Sequence, residues 1–425
     1  MNAPTSAPRK PLMALDEALS RLLSQASPLS ATETVATLDA DRRVLAQDLV
    51  SGLHVPPQHN SAMDGYAVRR ADVARAGVVL PVSQRIAAGQ AALPLQPGSC
   101  ARIFTGAPLP EGADAVVMQE DTQVVPATDD EAHPLGLVQI QTVPQAGQWV
   151  RRAGEDVTLG AVVLARGERL SPASLGLAAS LGLAQLSVVV RPRVALFSTG
   201  DELVMPGDVA PQAMRPGAIY NSNRFFLRTL LQRLGCEVSD LGIVPDRREA
   251  TVAALQAAAG QHDLILTSGG VSVGEEDHIK PAVQQLGALD LWQIAMKPGK
   301  PFAFGHVRGE SARACHFIGL PGNPVSSFVT FLLLVRPFLL ALQGARVAPV
   351  SPVRLPAHFD WSGDRRREFL RVRRNAAGGL DLFVNQSSGV LTSAVWGDGL
   401  VDNPANTPIA HGDSVAYFSF AELLA

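Results

Sequence analysis

Three turns rich in glycine and proline are the best candidates for binding chemistry in this sequence. The first, Ser268, Gly269 and Gly270, follows a short apolar run at residues 264–266 that has the pattern of a buried strand. Small residues let backbone N–H groups approach an anion closely, and a helix start would add a favourable dipole. An isolated glycine pair more often marks a plain turn. The binding interpretation therefore depends on similar turns at the same edge.

A second turn, residues 321–324, follows the apolar run 317–320 and opens a long apolar segment. Proline suits the first helical turn and asparagine suits the cap, so this turn needs no ligand to be stable. It would also present free N–H groups beside Ser326 and Ser327. We therefore expect a second anion contact.

The third turn is the sharpest basic element of the chain. Only four lysines occur, Lys10, Lys280, Lys297 and Lys300, and the last two enclose Pro298 and Gly299 and precede Pro301. A stiff loop loses less entropy when it grips a phosphate. We therefore favour anion binding by both ammonium groups over a solvated loop.

Carboxylates stand near several predicted strand ends. Glu202 and Asp246 each follow a predicted strand, and the acidic run 275–277 ends in Asp277. Each one alone is more often a cap or a solvated turn residue. Mg²⁺ usually takes one or two carboxylates together with substrate phosphate. As a set, these carboxylates predict a metal and ribose site beside the anion-binding turns.

The first half of the chain has its own dense motifs. Asp64 begins a turn within residues 60–68, and Thr105 ends an apolar run in a hydroxyl and a glycine turn. Arg151 and Arg152 stand close to Glu155 and Asp156. From spacing alone, the better interpretation of that last cluster is an ion pair that locks two modules together.

Other classes of site are disfavoured. The sequence has no Ser-His-Asp or Cys-His set, no Walker loop and no GxGxxG fingerprint after a strand. A net charge of −3 gives no general attraction for nucleic acid or an acidic membrane. The three cysteines are far apart, which argues against a disulfide framework or a zinc site. Residues 328–342 are apolar, but Arg336 and Pro337 interrupt them, and we expect no membrane span.

The elements that position these motifs follow from periodicity. We expect a helix over residues 15–23 and a second one after Ser30, with Glu33 completing a capping box. Residues 55–150 read as a β-rich module, and residues 170–183 as a helix. From residue 193, short buried runs alternate with helical patterns, which predicts a parallel, doubly wound sheet. Ligands of such sheets bind outside the carboxyl ends of the strands, where all three turns are expected.

Taken together, these motifs resemble the molybdopterin molybdenumtransferase family, which includes MoeA and the E domain of gephyrin. The resemblance covers the chain from about residue 15 to its end, and the segments occur in the family's order. The matching segments are residues 60–68, 102–108, 151–156, 195–203, 268–277, 297–305 and 319–324.

The resemblance implies an α/β multidomain fold. A small helical region comprises residues 12–50 with 146–187, and a β module is inserted at residues 51–145. A MogA-like, doubly wound α/β domain follows at residues 188–345, and a C-terminal β-barrel at residues 350–425. The resemblance also implies an elongated homodimer, in which each active site lies between the α/β domain of one subunit and the first-half motifs of the other.

The implied reaction inserts molybdate into adenylyl-molybdopterin and gives molybdenum cofactor and AMP, with Mg²⁺. A MogA-like adenylyltransferase would supply the substrate. Molybdoenzymes or cofactor-maturation proteins would receive the product in the cytoplasm, with no nucleic-acid or membrane partner. The implied catalytic residues are His59, Asp64, Thr105, Glu202 and Asp246. The implied metal ligands are Glu202, Asp246 and Asp277. The implied substrate-binding residues are Ser268, Gly269, Gly270, Ser272, Asp277, Lys297, Pro298, Lys300, Pro301, Gly322, Asn323, Arg371 and Ser388 (or Ser393).

One position departs from the family pattern. The family commonly has an aspartate directly before Asn-Ser-Ala-Met-Asp-Gly, and here that position is His59. A carboxylate binds Mg²⁺ directly, whereas a neutral imidazole is a softer ligand and a protonated one repels the metal. We interpret His59 as a tuned substitution that attracts molybdate. Two alternatives stay open: a non-catalytic molybdopterin-binding scaffold or specialised copy, and a different nucleotidyl or phosphoryl transferase on the same sheet.

Overall fold

The computed structural model describes residues 12–125, 133–270, 278–309, 314–346 and 349–424. Helix α1 (Leu15–Ser24) confirms the first predicted helix and buries Leu15, Ala18 and Leu22 along one face. These positions are three and four residues apart, the spacing of a single helical face. Their side chains pack into the core of the α/β domain.

The segment after Ser30 is a strand, so the second predicted helix is wrong. Strand β1 (Thr32–Ala36) pairs antiparallel with Gln185–Val189. The carboxylate of Glu33 forms an ion pair with the buried Arg43 instead of capping a helix. Pairing with a distant strand outweighs the local capping pattern here, because propensity is only a weak prior.

The first half of the chain contains a β-rich insertion, as predicted. The elements that follow β1 are β2 (Leu49–Val50), β3 (Asn60–Ser61), β4 (Gly65–Val68), β5 (Val78–Ile86), β6 (Cys100–Ile103), β7 (Ala115–Met118), β8 (Thr122–Val125), β9 (Leu137–Ile140), β10 (Val150–Arg151), β11 (Val162–Leu164), α2 (Pro172–Ser180) and β12 (Gln185–Val189). Six of them form one mixed sheet in the order β7-β4-β6-β5-β9-β8. Helix α2 lies within the predicted helix at residues 170–183, and the Ser171 side chain caps it.

The central domain is built on a six-stranded sheet. Its elements are β13 (Arg193–Thr199), β14 (Leu203–Val204), β15 (Ile219–Tyr220), α3 (Asn223–Arg233), β16 (Glu237–Val244), α4 (Arg248–Ala259), β17 (Leu264–Ser268), α5 (Ile279–Leu286), β18 (Gly287–Gln293), β19 (Met296–Lys297), β20 (Pro301–Arg308), β21 (Ala314–Leu320), α6 (Pro324–Thr330) and α7 (Arg336–Leu342). The strand order is β16-β13-β17-β21-β20-β18. The first four strands of this order run parallel to one another, whereas β20 runs antiparallel to both of its neighbours, β21 and β18. The sheet is therefore mixed, which corrects the prediction of a wholly parallel one.

Both faces of this sheet are covered, as a doubly wound fold requires. In β17, Leu264 and Leu266 pack into one core with α1 and the helices after β21, whereas Ile265 packs into a second core with α4 and α5. Successive side chains of a strand point to opposite faces, so a continuous apolar run fits a strand that is buried on both sides.

One long helix crosses the first of these cores. Helices α6 and α7 are joined by a π-helical segment, Phe331–Val335, into a continuous helix, Pro324–Leu342. The wider turn directly precedes Pro337, which lacks an N–H and would clash in a regular helix. By length and composition this helix is able to cross a membrane, but 78% of its most apolar stretch is buried inside the fold. It is therefore longer and less interrupted than the sequence indicated, and it serves as a core helix.

A small β module closes the chain. It contains β22 (Val353–Pro356), β23 (Arg367–Arg374), β24 (Leu380–Leu382), α8 (Thr392–Trp396), β25 (Gly399–Asn403), β26 (Ser414–Ser419) and α9 (Phe420–Leu423). Strand β19 of the central domain adds to this sheet beside β23. An isolated bridge between Ala357 and Leu380 curls the β22 end back toward β24, which gives the module its barrel character. The central domain and the last module thus share a strand at the segment that carries Lys297.

Candidate functional site

The topology creates a crevice at the carboxyl end of the parallel strands. From β13 the chain crosses through α3 to β16 on one side, then through α4 to β17 on the other side. Helices α3 and α4 pack on opposite faces of the sheet. The loops after β13 and β17 therefore leave the sheet toward opposite faces, which opens a crevice between them. Ligands of open α/β sheets bind at such a point, called a topological switch point.

A cavity of about 790 Å³ occupies this position. Two of the three predicted turns meet in its wall, the Ser268 turn after β17 and the turn between β21 and α6. The turn after β13, which carries Glu202, joins them, whereas the predicted lysine turn contributes only Pro301. Its lining residues are Thr199, Gly200, Glu202, Leu203, Ile219, Tyr220, Asn221, Ser222, Asn223, Asp246, Ser268, Gly269, Gly270, Pro301, Pro321, Gly322, Asn323, Pro324, Ser326 and Gly389. The size suits a small-molecule ligand.

The glycines after β17 permit a close approach of backbones. Gly269 has φ +93°, and a Cβ there would lie 2.9 Å from the carbonyl oxygen of Thr199. Gly270 has φ +68°, and a Cβ there would lie 2.8 Å from the side chain of Ile279. Only glycine adopts such positions without strain. The Gly269 N–H donates to the carbonyl of Leu320 at 3.0 Å, so this group is used within the fold.

Asn223, at the start of α3, joins two of the three turns. Its Nδ2 donates to Ser268 Oγ and to the carbonyl oxygen of Gly322, both at 2.7 Å. Asn223 is buried and so is Ser268. Sequence reasoning did not single out Asn223. The signal that was available is the pair of asparagines at positions 221 and 223, directly before an amphipathic helix.

Two of the predicted carboxylates lie in the cavity wall. Glu202 is exposed, and its side chain lies over Gly200, where a Cβ would be 2.6 Å from Oε2. Asp246, half-buried, follows β16. In the described residues no group of three or more acidic, histidine or cysteine side chains forms a metal cluster. Two carboxylates in the wall of one cavity still fit Mg²⁺, which takes few protein ligands and completes its shell with other oxygens and water. Ser272 and Asp277 lie outside the described residues.

The lysine turn differs from its prediction. The Lys297 ammonium lies 3.1 Å from both Asp364 Oδ2 and Glu368 Oε1 of the last module, and 5.9 Å from the centre of the Trp361 ring. Partial burial opposes protonation, yet hydrogen bonds to these two carboxylates raise the pKa of Lys297. Lys297 therefore locks two modules together, and the expectation that its ammonium projects toward a phosphate is corrected.

The other residues of this turn differ in burial. The Lys297–Pro298 peptide is cis, and Pro298 is buried. The side chain of Lys300 is exposed, and Pro301 lines the cavity. Of the two predicted ammonium groups, only that of Lys300 is exposed beside the cavity rim.

The last module contributes a loop to the cavity. Ser388 accepts a hydrogen bond from Asn323 Nδ2 at 3.1 Å and another, at its carbonyl, from the Val325 N–H at 2.9 Å; Gly389 lines the cavity. Arg371 is only 1% exposed, and its guanidinium donates to Ser393 Oγ and to the Phe369 and Ser387 carbonyls.

Arg371 is thus a positioning residue for this loop, not the direct substrate contact that was expected. Burial lowers the pKa of Arg371 to about 10, which still leaves it charged at neutral pH.

The first-half residues form a separate cluster. The N–H and the hydroxyl of Thr105 both donate to Asp64 Oδ1 at 2.7 Å; these bonds, helped by the charge of Arg102, hold the pKa of Asp64 below its usual value. His59 is exposed, and its Nδ1 accepts the N–H of Ala153 at 3.0 Å. The described residues that line the cavity all come from positions 199–389, so this cluster is not part of its wall within one chain.

The predicted ion pair at residues 151–156 is wrong in the described part of the chain. Arg151 and Arg152 are exposed, and neither guanidinium lies within 4 Å of a described carboxylate. Glu155 instead accepts the backbone N–H of Arg152 at 2.9 Å. The two guanidiniums are therefore available at the surface near His59.

Comparison with protein families gives three matches in chain order. Residues 13–182 match the MoeA N-terminal region (domain I and II), residues 195–341 match a probable molybdopterin binding domain, and residues 354–420 match the MoeA C-terminal region (domain IV).

Individual relatives agree. The chain is 44% identical over 336 residues to the molybdopterin molybdenumtransferase of Haemophilus influenzae, with 79% of each chain covered. It is 31% identical over 364 residues to gephyrin of Dictyostelium discoideum, covering 78% of this chain and 49% of gephyrin. A crystal structure of the molybdopterin biosynthesis MoeA protein of Pyrococcus horikoshii superposes with a TM-score of 0.80 at 28% identity, covering 96% of this chain and all of that one. The chain therefore belongs to the molybdopterin molybdenumtransferase family and is a transferase of molybdenum cofactor biosynthesis.

Proposed function

We propose that this protein inserts molybdate into adenylyl-molybdopterin and releases AMP. The observation that carries the proposal is the meeting of three turns and two carboxylates in the wall of one cavity at the switch point of the sheet. Glycine-rich backbone accepts a phosphate closely, and carboxylates together with phosphate oxygens suit Mg²⁺. A nucleotide-activated pterin carries both a phosphate link and a flat ring, and a cavity of about 790 Å³ has room for such a ligand.

In this proposal Mg²⁺ is held by Glu202 and Asp246, with Asp277 as a further predicted ligand, and it supplies positive charge to the phosphate oxygens. The exposed ammonium of Lys300 attracts the same oxygens at the rim. Gly269 and Gly270 line the cavity, and the phosphate would lie against the backbone there. These residues position and neutralise the substrate, so no covalent intermediate with the protein is needed.

A homodimer would supply the rest of the site. His59, Asp64 and Thr105 lie together but outside the cavity of their own chain. They act in the reaction only if a second subunit presents them to this cavity, with molybdate held by Arg151 and Arg152 beside His59. In such a dimer, one variant altered in the first half of the chain and another altered in the α/β domain should complement each other.

Complementation tests that arrangement. Asp64→Asn and Asp246→Asn are each expected to abolish turnover, and their co-expression is expected to restore about a quarter of it, because half of randomly paired dimers are mixed and each mixed dimer has one intact site. If each active site were built from one chain, the mixture would stay inactive. Size-exclusion chromatography of each variant controls for loss of the dimer.

The reaction itself is tested by AMP release. Purified protein, adenylyl-molybdopterin and Mg²⁺ are expected to release AMP only after molybdate is added. Glu202→Gln should lower the rate by at least about tenfold, because it removes one metal-binding charge. Glu237→Gln, an exposed residue at the amino end of β16, is the matched control and should react like the wild type. Tight substrate binding without molybdate-dependent AMP release would refute the proposal and favour a scaffold.

We also propose which reactions precede and follow this one. Its substrate must come from an adenylyltransferase, for which a MogA-like protein is the candidate. A molybdoenzyme or a cofactor-maturation protein in the cytoplasm would receive its product.

A further inference from the structure

Asn221 is an unexplained residue in the cavity wall. It lies between β15 and α3, and its side chain is only 2% exposed. Its backbone N–H donates to the Val204 carbonyl at 2.9 Å, which ties it to the strand after Glu202. In the part of the chain that the structure describes, the amide nitrogen Nδ2 of Asn221 has no hydrogen-bond acceptor.

The orientation of this amide is fixed by its other end. Asn221 Oδ1 accepts the backbone N–H of Arg224 at 3.3 Å. A backbone N–H can only donate, so a flipped amide would set two donors against each other. The oxygen therefore belongs at Arg224, and the NH₂ group is the end left without a partner.

The neighbouring asparagine shows what a satisfied amide looks like at this position. Asn223 Nδ2 has two acceptors at 2.7 Å, Ser268 Oγ and the Gly322 carbonyl. Buried donors without an acceptor are uncommon in folded proteins, and each calls for an explanation. Asn221 is one of the residues that line the cavity, and this cavity is expected to hold a ligand rich in acceptor oxygens.

We infer that Asn221 is a further substrate-binding residue, whose amide donates a hydrogen bond to a phosphate or ribose oxygen of the nucleotide half of the ligand. This inference rests on the proposed function. Asn221 is tied through Val204 to the strand that follows Glu202, and its amide contributes a neutral donor to a wall whose two carboxylates, Glu202 and Asp246, are the proposed metal ligands. A neutral donor in this place selects an oxygen acceptor without competing with Mg²⁺.

Calorimetric titration of AMP in the presence of Mg²⁺ tests the inference on the full-length protein. Asn221→Asp keeps the acceptor for the Arg224 N–H and the side-chain volume but removes the donor. Asn221→Ala removes the donor without adding charge. Both variants should bind AMP at least about tenfold more weakly than the wild type. Asn406→Asp, on an exposed turn of the last module, is the matched control and should bind normally.

Three outcomes would overturn the inference, and they are distinguishable. If wild type binds AMP and both variants bind equally well, Asn221 is a structural residue only. If Asn221→Asp alone is weakened, the effect is charge repulsion and not the loss of a donor. If the wild type itself fails to bind AMP, the proposed function falls and the inference falls with it. Both variants should keep a cooperative thermal transition, although Asn221→Asp should melt below the wild type because its carboxylate is buried.

Discussion

Removing the side chain of Asn223 should loosen the turns that form the cavity wall. In Asn223→Ala two hydrogen bonds of 2.7 Å disappear, one to Ser268 Oγ and one to the Gly322 carbonyl. Each buried bond contributes about 1 kcal/mol, and a carbonyl left without a partner adds about another 1 kcal/mol. The local free energy of opening should therefore fall by about 2–3 kcal/mol.

This loss should appear in two measurements. Hydrogen exchange of the amides in β17 and at the start of α6 should speed up by about thirtyfold or more, because 1.4 kcal/mol corresponds to tenfold. The KM for adenylyl-molybdopterin should rise, since the two turns no longer hold one geometry. Gln232→Ala, exposed on the same helix α3, is the control. Unchanged exchange and unchanged KM in Asn223→Ala would refute the claim that this residue couples the turns.

Three further predictions test separate parts of the account. Gly269→Ala should destabilise the protein by at least about 1–2 kcal/mol, because φ is +93° and the new Cβ would lie 2.9 Å from the Thr199 carbonyl; an unchanged urea midpoint would contradict this. His59→Asp should not raise molybdate-dependent turnover if His59 is a tuned residue, and a tenfold gain would identify the native protein as an impaired copy. Burial raises the pKa of the Cys100 and Cys236 thiols to about 12, so neither should react with iodoacetamide at pH 8 until denaturant is added.

Much of the cavity was predictable from sequence because its residues follow buried strands. The apolar runs before Ser268 and Pro321 are short, continuous and bounded by glycine or proline, which is the signature of strands covered on both faces. Parallel strands bring their carboxyl ends to one edge, so the meeting of the turns followed from topology. The two carboxylates of the cavity wall, Glu202 and Asp246, were found for the same reason.

The remaining contacts depend on groups that are distant in sequence. Lys297 pairs with Asp364 and Glu368, which are 67 and 71 residues away in the sequence. No local sequence pattern predicts these two ion pairs. Residues 32–36 became a strand through pairing with residues 185–189. The role of Asn223 depends on Ser268 and Gly322, 45 and 99 residues away. Local periodicity carries no information on such pairs, and this is why the sequence misassigned them.

Residue patterns alone did not predict how two subunits would assemble the site; only the family resemblance implied it. Asp64 and Thr105 are hydrogen-bonded to each other and His59 to Ala153, but none of these residues is among the described ones that line the cavity. A second subunit leaves no periodic signal in the sequence. In the proposed dimer, the exposed guanidiniums of Arg151 and Arg152 would likewise meet the oxyanion.

The central claim is that the three strand-end turns form one cradle for a phosphorylated ligand. A crystal structure of the protein with AMP and Mg²⁺ tests this most directly. We predict phosphate density against the Gly270 backbone, with the metal between Glu202 and Asp246. Ordered AMP bound at any other surface, with this cavity filled only by solvent, would contradict the account.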